Sequence, residues 1–389
     1  MRRQGREVFT EDRHKAEYGE SPHVISTVPG VTAFAGEFSM YCQGYSLCAA
    51  NDRSLSVAVS PRSDSIVRIF NSYSNDRKKF ALAGIKYRKE DRWGNYVKGM
   101  VLEMQRHMGI PGLNITLSGN LLCCDGRVLS AAIGVGVGMA LYRLLGLEPD
   151  VSVVASCCFN SCFRFCSELY NRHFILTMLH AKEGSFLLFD MHDGLFRHVD
   201  SPFGNADFSI ALANGNIPPL AMREELYFKH NLVKSAMESL SNLHASVSLR
   251  RFPVEDLLDR QLPVDEETRT ICCYVFEESN TALLLERLFA QKDFIQIGKA
   301  LSKLGKGLRD KIELTCPELD WLSKRSIETP GCYGSSIVYN GAGGYVAMVM
   351  EDASFDAYLS KLDDYERIFG FKAWAFRYAP GGGASTVSV

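Results

Sequence analysis

The chain has 389 residues, 46% hydrophobic and 23% charged, with a formal net charge of −2. That length supplies two hydrophobic cores, so two domains are expected, and the near-zero charge argues against nucleic acid or an anionic membrane as a partner. Apolar runs such as 128 to 142 are broken by Ser130 and three glycines and fall short of a membrane span, and residues 1 to 20 lack the apolar core of a signal peptide. A cytoplasmic protein is expected. Eight of its 12 cysteines fall in adjacent pairs (Cys123-Cys124, Cys157-Cys158, Cys272-Cys273) or at helical spacing (Cys158, Cys162, Cys166). That pattern fits buried free thiols better than a disulfide framework or a metal cluster.

In chain order, residues 7 to 20 read as a helix that Pro22 ends. Residues 23 to 52 give a β-branched strand, a Pro29-Gly30 turn, a small-residue stretch and a second strand. SLSVAVS and SIVRIFNSY then predict antiparallel strands, and DRKKF a solvated turn. DRWGNYVKGMVLEMQ predicts a helix whose core face is Tyr96, Val97, Met100, Val101 and Met104. A strand at 113 to 118 delivers the chain to a polar, glycine-bearing loop that opens a long apolar helix. Such a loop aims unpaired N–H groups and the positive end of the helix dipole at one point, which makes 118 to 132 the candidate phosphate loop. Gly134 and Gly138 lie inside the helix rather than at its entry, so they read as a packing face and not as a dinucleotide fingerprint. SFLLFDMHDG is a strand ending at Asp190. A composition shift near 200 to 208 places the boundary between domains 1–205 and 206–389. Beyond it, 229–243, 253–260, 278–290 and 292–308 carry apolar repeats at three and four.

Three stretches carry a more specific pattern. Gly119, Asn120, Gly126, Ser130 and Ala131 fall without a gap on Gly-Asn-Val-Pro-x-Gly-x-Gly-Leu-Ser-Ser-Ser-Ala. Pro29, Gly30, Gly36, Glu37, Tyr41 and Gly44 fall on Pro-Gly-Arg-Val-Asn-Leu-Ile-Gly-Glu-His-Thr-Asp-Tyr-Asn-x-Gly. Residues 316 to 320 read CPELD, and Pro330, Gly331, Tyr333, Gly334, Ser335, Gly341, Gly343 and Gly344 follow Pro-Gly-x-Tyr-Gly-Ser-Arg-Met-Thr-Gly-Gly-Gly-Phe-Gly-Gly. With Trp93, Asn95, Tyr96, Val97 and Gly99, these are the signatures of the galactokinases, and the chain resembles that family of GHMP small-molecule kinases over residues 10 to 385. The resemblance implies a two-domain α/β fold of mostly antiparallel sheets layered with helices, a site in the cleft between the domains, and ATP with Mg2+ as co-substrates.

The departures concentrate at the charged positions. Where the family has the arginine that approaches the transferring phosphate, this chain has Val31. Where it has the sugar-pocket His and Asp, this chain has Phe38 and Met40. The catalytic aspartate falls on Phe174 by ungapped counting, or on Asn171 if SELYNR is matched with a short insertion; neither accepts a proton as a carboxylate does. In the phosphate loop Arg127, Val128 and Leu129 replace Leu-Ser-Ser, which leaves Ser130 as the remaining candidate metal hydroxyl. In the third motif Ser336, Val338, Tyr339 and Asn340 replace arginine, threonine and two glycines, and Tyr339 is expected to crowd the phosphate side. Glu37 and Tyr227 keep the family's sugar-contacting residue types. Two readings follow. One is a kinase fold with lost or strongly reduced activity, weak or absent ATP binding, and a role as a small-molecule sensor or protein partner. The other is an active ATP-dependent kinase of galactose or a related metabolite with a rearranged site.

Overall fold

The computed structural model describes residues 3–123, 126–169, 172–204, 207–217, 219–243, 248–258, 262–339 and 344–389. In chain order the elements are α1 (Arg3–Tyr18), β1 (Val24–Ala35), β2 (Tyr45–Arg62), β3 (Ile66–Asn71), β4 (Asp76–Ala81), α2 (Gly94–Met104), β5 (Gly112–Ser118), α3 (Arg127–Leu144), α4 (Val151–Asn160) and α5 (Arg172–His180). They continue with β6 (Ser185–Asp190), β7 (Leu195–Asp200), β8 (Phe208–Asn214), α6 (Pro219–Leu243), α7 (Val254–Leu258), α8 (Glu266–Gln291), α9 (Phe294–Gly307) and α10 (Pro317–Ile327). The chain closes with β9 (Cys332–Tyr339), β10 (Gly344–Glu351), α11 (Phe355–Phe369), β11 (Trp374–Tyr378) and β12 (Ser385–Ser388).

Two compact units result. The first holds residues 1–31, 50–183 and 381–389; the second holds 32–49 and 184–380. A single cut at 205/206 falls inside the second unit, because β1 and β2 each run through residues of both.

In the first unit the strand order is β12-β1-β2-β5-β3-β4. SLSVAVS and SIVRIFNSY do not pair with each other: β5 lies between them, antiparallel to β2 and parallel to β3. DRKKF is not a turn but edge strand β4, antiparallel to β3; its lysines and arginine protect the sheet edge, which composition alone disguises as a solvated loop. Nor do Pro29 and Gly30 make a turn. β1 passes straight through them, and Gly30 is needed because a Cβ there would stand 2.5 Å from the Asn51 amide oxygen. The glycine-rich tail is ordered into β12, paired with β1.

Helix α3 is the buried spine of this unit. It is long and apolar enough, at 18 residues, to cross a membrane, but 89% of it is buried. Its glycines are packing sites on two faces. A Cβ on Gly134 would meet Cys158 Sγ at 2.5 Å, one on Gly138 would meet Met100 Cε at 2.5 Å, and one on Gly136 would meet Val57 at 2.5 Å. The first two let α4 and α2 approach closely. Tyr96, Val97, Met100, Val101 and Met104 are buried as the spacing predicts. Among the described residues no disulfide forms, and six thiols are buried: Cys42, Cys48, Cys157, Cys158, Cys162 and Cys272.

Helix α1 is fastened to the sheet by polar side chains rather than by an apolar stripe. The buried His14 ring makes 3.0 Å bonds through Nδ1 to Thr116 Oγ1 and through Nε2 to Ser60 Oγ. The Ser60 hydroxyl donates to Glu20 at 2.6 Å, and Tyr18 donates to the Ile115 carbonyl at 3.0 Å. Burial pushes the His14 imidazole down to about 4, against the opposing pull of Glu20. Because the folded value lies below the unfolded value of ~6.5, the unfolded chain takes up the extra proton as pH falls through this window, and stability falls with it. Between pH 7 and pH 5 the wild type should lose about 2 kcal/mol more than His14→Leu. Urea titrations of both proteins at the two pH values measure that difference, and equal slopes would contradict it.

The second unit contains the four-stranded sheet β11-β8-β10-β9, with β8 and β10 antiparallel from Phe208↔Glu351 to Asn214↔Tyr345. There β6 pairs with β7 and with the first residues of β2. Its core sets Phe186 between Phe34 and Phe289, with ring centroids at 5.3 and 4.9 Å. Phe186→Ala should cost about 3 to 5 kcal/mol; a chemical-denaturation midpoint within error of wild type would contradict this packing.

Candidate active site

In the second unit the candidate residues gather at the turn that follows β1. Gly36 has φ +87°, and a Cβ there would meet the Tyr45 carbonyl oxygen at 2.3 Å, so only glycine fits. The next two backbone N–H groups, of Glu37 and Phe38, donate to the two carboxylate oxygens of Glu278 at 2.9 and 3.0 Å. Ser279, beside it on α8, accepts the Tyr45 N–H at 2.9 Å. A Cβ on Gly44 would lie 2.1 Å from that same hydroxyl. Burial pushes the Glu278 carboxyl up to about 8; the Glu37 charge adds to the rise, and the bonds from the backbone oppose it.

Glu37 is itself buried, at 6% exposure, and its Oε1 meets His230 Nε2 of α6 at 3.0 Å. His230 Nδ1 meets the Tyr41 hydroxyl at 3.0 Å, and the Phe38 ring lies 4.7 Å from the imidazole. The position expected to face a sugar is therefore engaged with the protein's own histidine, and Phe38 packs against that histidine. Tyr227 is half-buried one turn earlier on α6, where the Arg223 guanidinium stands 5.3 Å over its ring.

In the first unit the candidate residues gather at the loop into α3. Gly119 has φ +116°, and a Cβ there would lie 2.3 Å from the Ser54 carbonyl oxygen. Asn120 Oδ1 accepts the Ser54 N–H at 2.9 Å, so these two residues fasten the loop to β2. Gly126, at φ +93°, is the N-cap of α3, with no side-chain cap bond. Arg127 follows and is only 2% exposed, its guanidinium carbon 5.0 Å from the centroid of the Phe174 ring. Val128, Leu129, Ser130 and Ala131 are buried behind it. The Ser130 hydroxyl donates back to the Arg127 carbonyl at 3.0 Å, and the Ala131 carbonyl accepts the Cys158 thiol at 3.5 Å.

The structure thus brings Arg127 and Phe174 together. Phe174 is wholly buried in the first turn of α5, and Val31 is wholly buried in β1. Asn171, Asn340, Gly341 and Gly343 and the side chain of Tyr339 lie outside the described residues, while Gly344 opens β10 against Leu319. Asp190 is held by Arg250 through Nη2–Oδ2 at 2.7 Å, and Arg250 also bonds the Tyr45 hydroxyl. Burial alone would raise the Asp190 carboxyl; the bonds from Arg250 and from the His192 and Asp193 backbone outweigh it and hold it below the usual range. Asp193 is exposed, 3.6 Å from His192. Among the described residues, no three His, Cys, Asp or Glu side chains converge as a metal site.

Sequence reasoning did not find His230 or Glu278. Glu278 did leave a trace: it shares a helical face with Tyr274, Val275, Ala282 and Leu285, all buried, and a carboxyl on an apolar face calls for a partner. His230 leaves none.

The family model described as the galactokinase galactose-binding signature matches residues 12–61. A protein of Treponema pallidum (strain Nichols) that bears the name "Putative galactokinase" is 31% identical over 373 residues, covering 94% of this chain and 93% of its own. The chain belongs to the galactokinase family. The galactokinase of Roseiflexus sp. (strain RS-1) is 25% identical over 89% of this chain and 88% of its own. The fold agrees with that of Lactococcus lactis galactokinase, solved in complex with galactose, at a TM-score of 0.87 and 18% identity over 97% of this chain and 99% of that one. This galactokinase-family chain therefore has the α/β fold of the GHMP kinases. Gly36 and Gly119, which shape its turns, fall on the signature glycines.

Proposed function

We propose that this chain is a galactokinase-family protein whose phosphotransfer activity is lost or strongly reduced, and that it serves as a ligand-binding or regulatory pseudokinase. The observation that carries the reading is the Arg127–Phe174 stack. The first residue of the phosphate-loop helix and one of the two candidates for the catalytic position, Phe174, are packed on each other, both buried. An arginine on the surface of this loop would match a phosphate well; one that is 2% exposed against an aromatic ring faces protein instead. The residues present do not fit a magnesium nucleotide. Ser130 is wholly buried, and Val128 and Leu129 offer no hydroxyl.

The sugar side is altered in the same sense. Glu37 is engaged by His230, whose ring packs on Phe38, so a ligand held there with Tyr227 would be less hydroxylated than galactose. Galactose at low millimolar concentration should leave the melting temperature unchanged, since one-site binding would appear as added stability; a dose-dependent rise would contradict this pocket. ATP consumption by clean recombinant protein against a panel of sugars tests the whole reading. Turnover on any of them would favour the second one, an active kinase of galactose or a related metabolite with a rearranged site, for which the retained Gly36, Glu37 and Tyr227 speak.

A further inference from the structure

Helix α8 has a second functional-looking face, turned away from the Glu278 contacts. Cys273, Phe276, Glu277, Asn280, Thr281, Leu284 and Arg287 recur at three- and four-residue spacing along it. They form one wall of a cavity of about 700 Å³ within the second unit, inside the roughly 300 to 1,000 Å³ range of small-molecule pockets. The α7 side supplies Phe252, Val254 and Leu258; α9 and the turn after it supply Lys303 and Lys311.

The lining is amphipathic. Phe252 and Phe276 stack at 5.7 Å and 10° to form an apolar floor, which Val254, Leu258 and Leu284 extend. Above it Glu277 binds two ammonium groups, Lys303 at 2.6 Å and Lys311 at 2.8 Å. Burial would raise the Glu277 carboxyl, but these two lysines hold it below the usual range, so it stays charged and fixes both. Three cations then face two carboxylates, Glu255 and Glu277, and Arg287 makes no ion pair with any described residue. The Asn280 amide on the same helix is exposed beside it.

We infer that this groove between α7, α8 and α9 binds a small organic anion with an apolar body, its acid group met by Arg287 and its hydrocarbon laid on Leu284, Phe276 and Phe252. The charge excess selects an anion over a cation. A guanidinium with no ion pair to any described residue gains by pairing with a carboxylate or sulfonate, and the aromatic floor gains by covering. This site is independent of the signature residues and of the phosphotransfer question.

The test uses the full-length protein with the fluorescent monoanion 8-anilino-1-naphthalenesulfonate. Saturable one-to-one binding is expected, displaced by octanoate and not by octylammonium. Arg287 is exposed and makes no ion pair with any described residue, so Arg287→Glu should fold as wild type by circular dichroism and melting temperature yet weaken binding at least about tenfold. Arg309→Glu, whose side chain pairs with Asp310 outside the cavity lining, should bind as wild type. Absence of saturable binding to the wild type, unchanged affinity in Arg287→Glu, or equal displacement by octylammonium would each overturn the proposal.

Discussion

Supplied with galactose and Mg-ATP, the purified protein should form galactose 1-phosphate several orders of magnitude more slowly than the ~1 to 100 per second usual for kinases. Phosphoryl transfer depends on positioning and charge stabilisation, with a base orienting the nucleophile. The base position falls on Asn171 or on the wholly buried Phe174, and the cation position on the wholly buried Val31. Loss of a positioned base costs ~10²- to 10⁴-fold, and loss of one charge-stabilising group ~10²- to 10³-fold. The two need not multiply, because residues that act as a unit are non-additive. A measured rate within about tenfold of the usual range would contradict the account and mean that another carboxylate serves as base. Asp190 is already engaged by Arg250, which leaves Asp193 as the first residue to replace.

Glu278→Ala should be the most damaging single truncation of a polar residue in the second unit. It leaves the buried N–H groups of Glu37 and Phe38 without acceptors, at about 1 to 3 kcal/mol each, and should cost about 3 to 5 kcal/mol in all. The same carboxyl gives the fold a pH signature. Its folded value of about 8 lies above the unfolded value of ~4.3, so the folded state binds the extra proton, and stability is lost as pH rises through the folded value. Between pH 6 and pH 8 the wild type should lose about 2 kcal/mol relative to Glu278→Gln. Parallel pH slopes for the two proteins, or an Ala variant as stable as wild type, would show that the turn does not hang on Glu278.

The family was legible because its glycines are steric necessities. Gly36 and Gly119 sit at positive φ with a backbone carbonyl 2.3 Å from where a Cβ would be, so they persist whatever becomes of the chemistry, and they keep the motifs in register. The α2 core face and the Gly134/Gly138 packing face were legible from helical periodicity, which responds directly to burial. The order of strands was not. β3 joins β5 in parallel across a long connection, and nothing local in SIVRIFNSY specifies that partner. β4 was lost because edge strands are charged for the same reason loops are. In the site, each departure was visible as a substitution, but not what it had become. That Arg127 lies on Phe174 and that Glu37 is taken up by His230 are contacts across 47 and 193 positions of sequence, set by tertiary packing alone.

The central claim, that the N-terminus of α3 is filled by the protein's own side chains and no longer holds a nucleotide, is tested most directly by calorimetric titration of Mg-ATP into the purified full-length chain. The account predicts no saturable heat up to millimolar nucleotide; a dissociation constant in the micromolar range would contradict it.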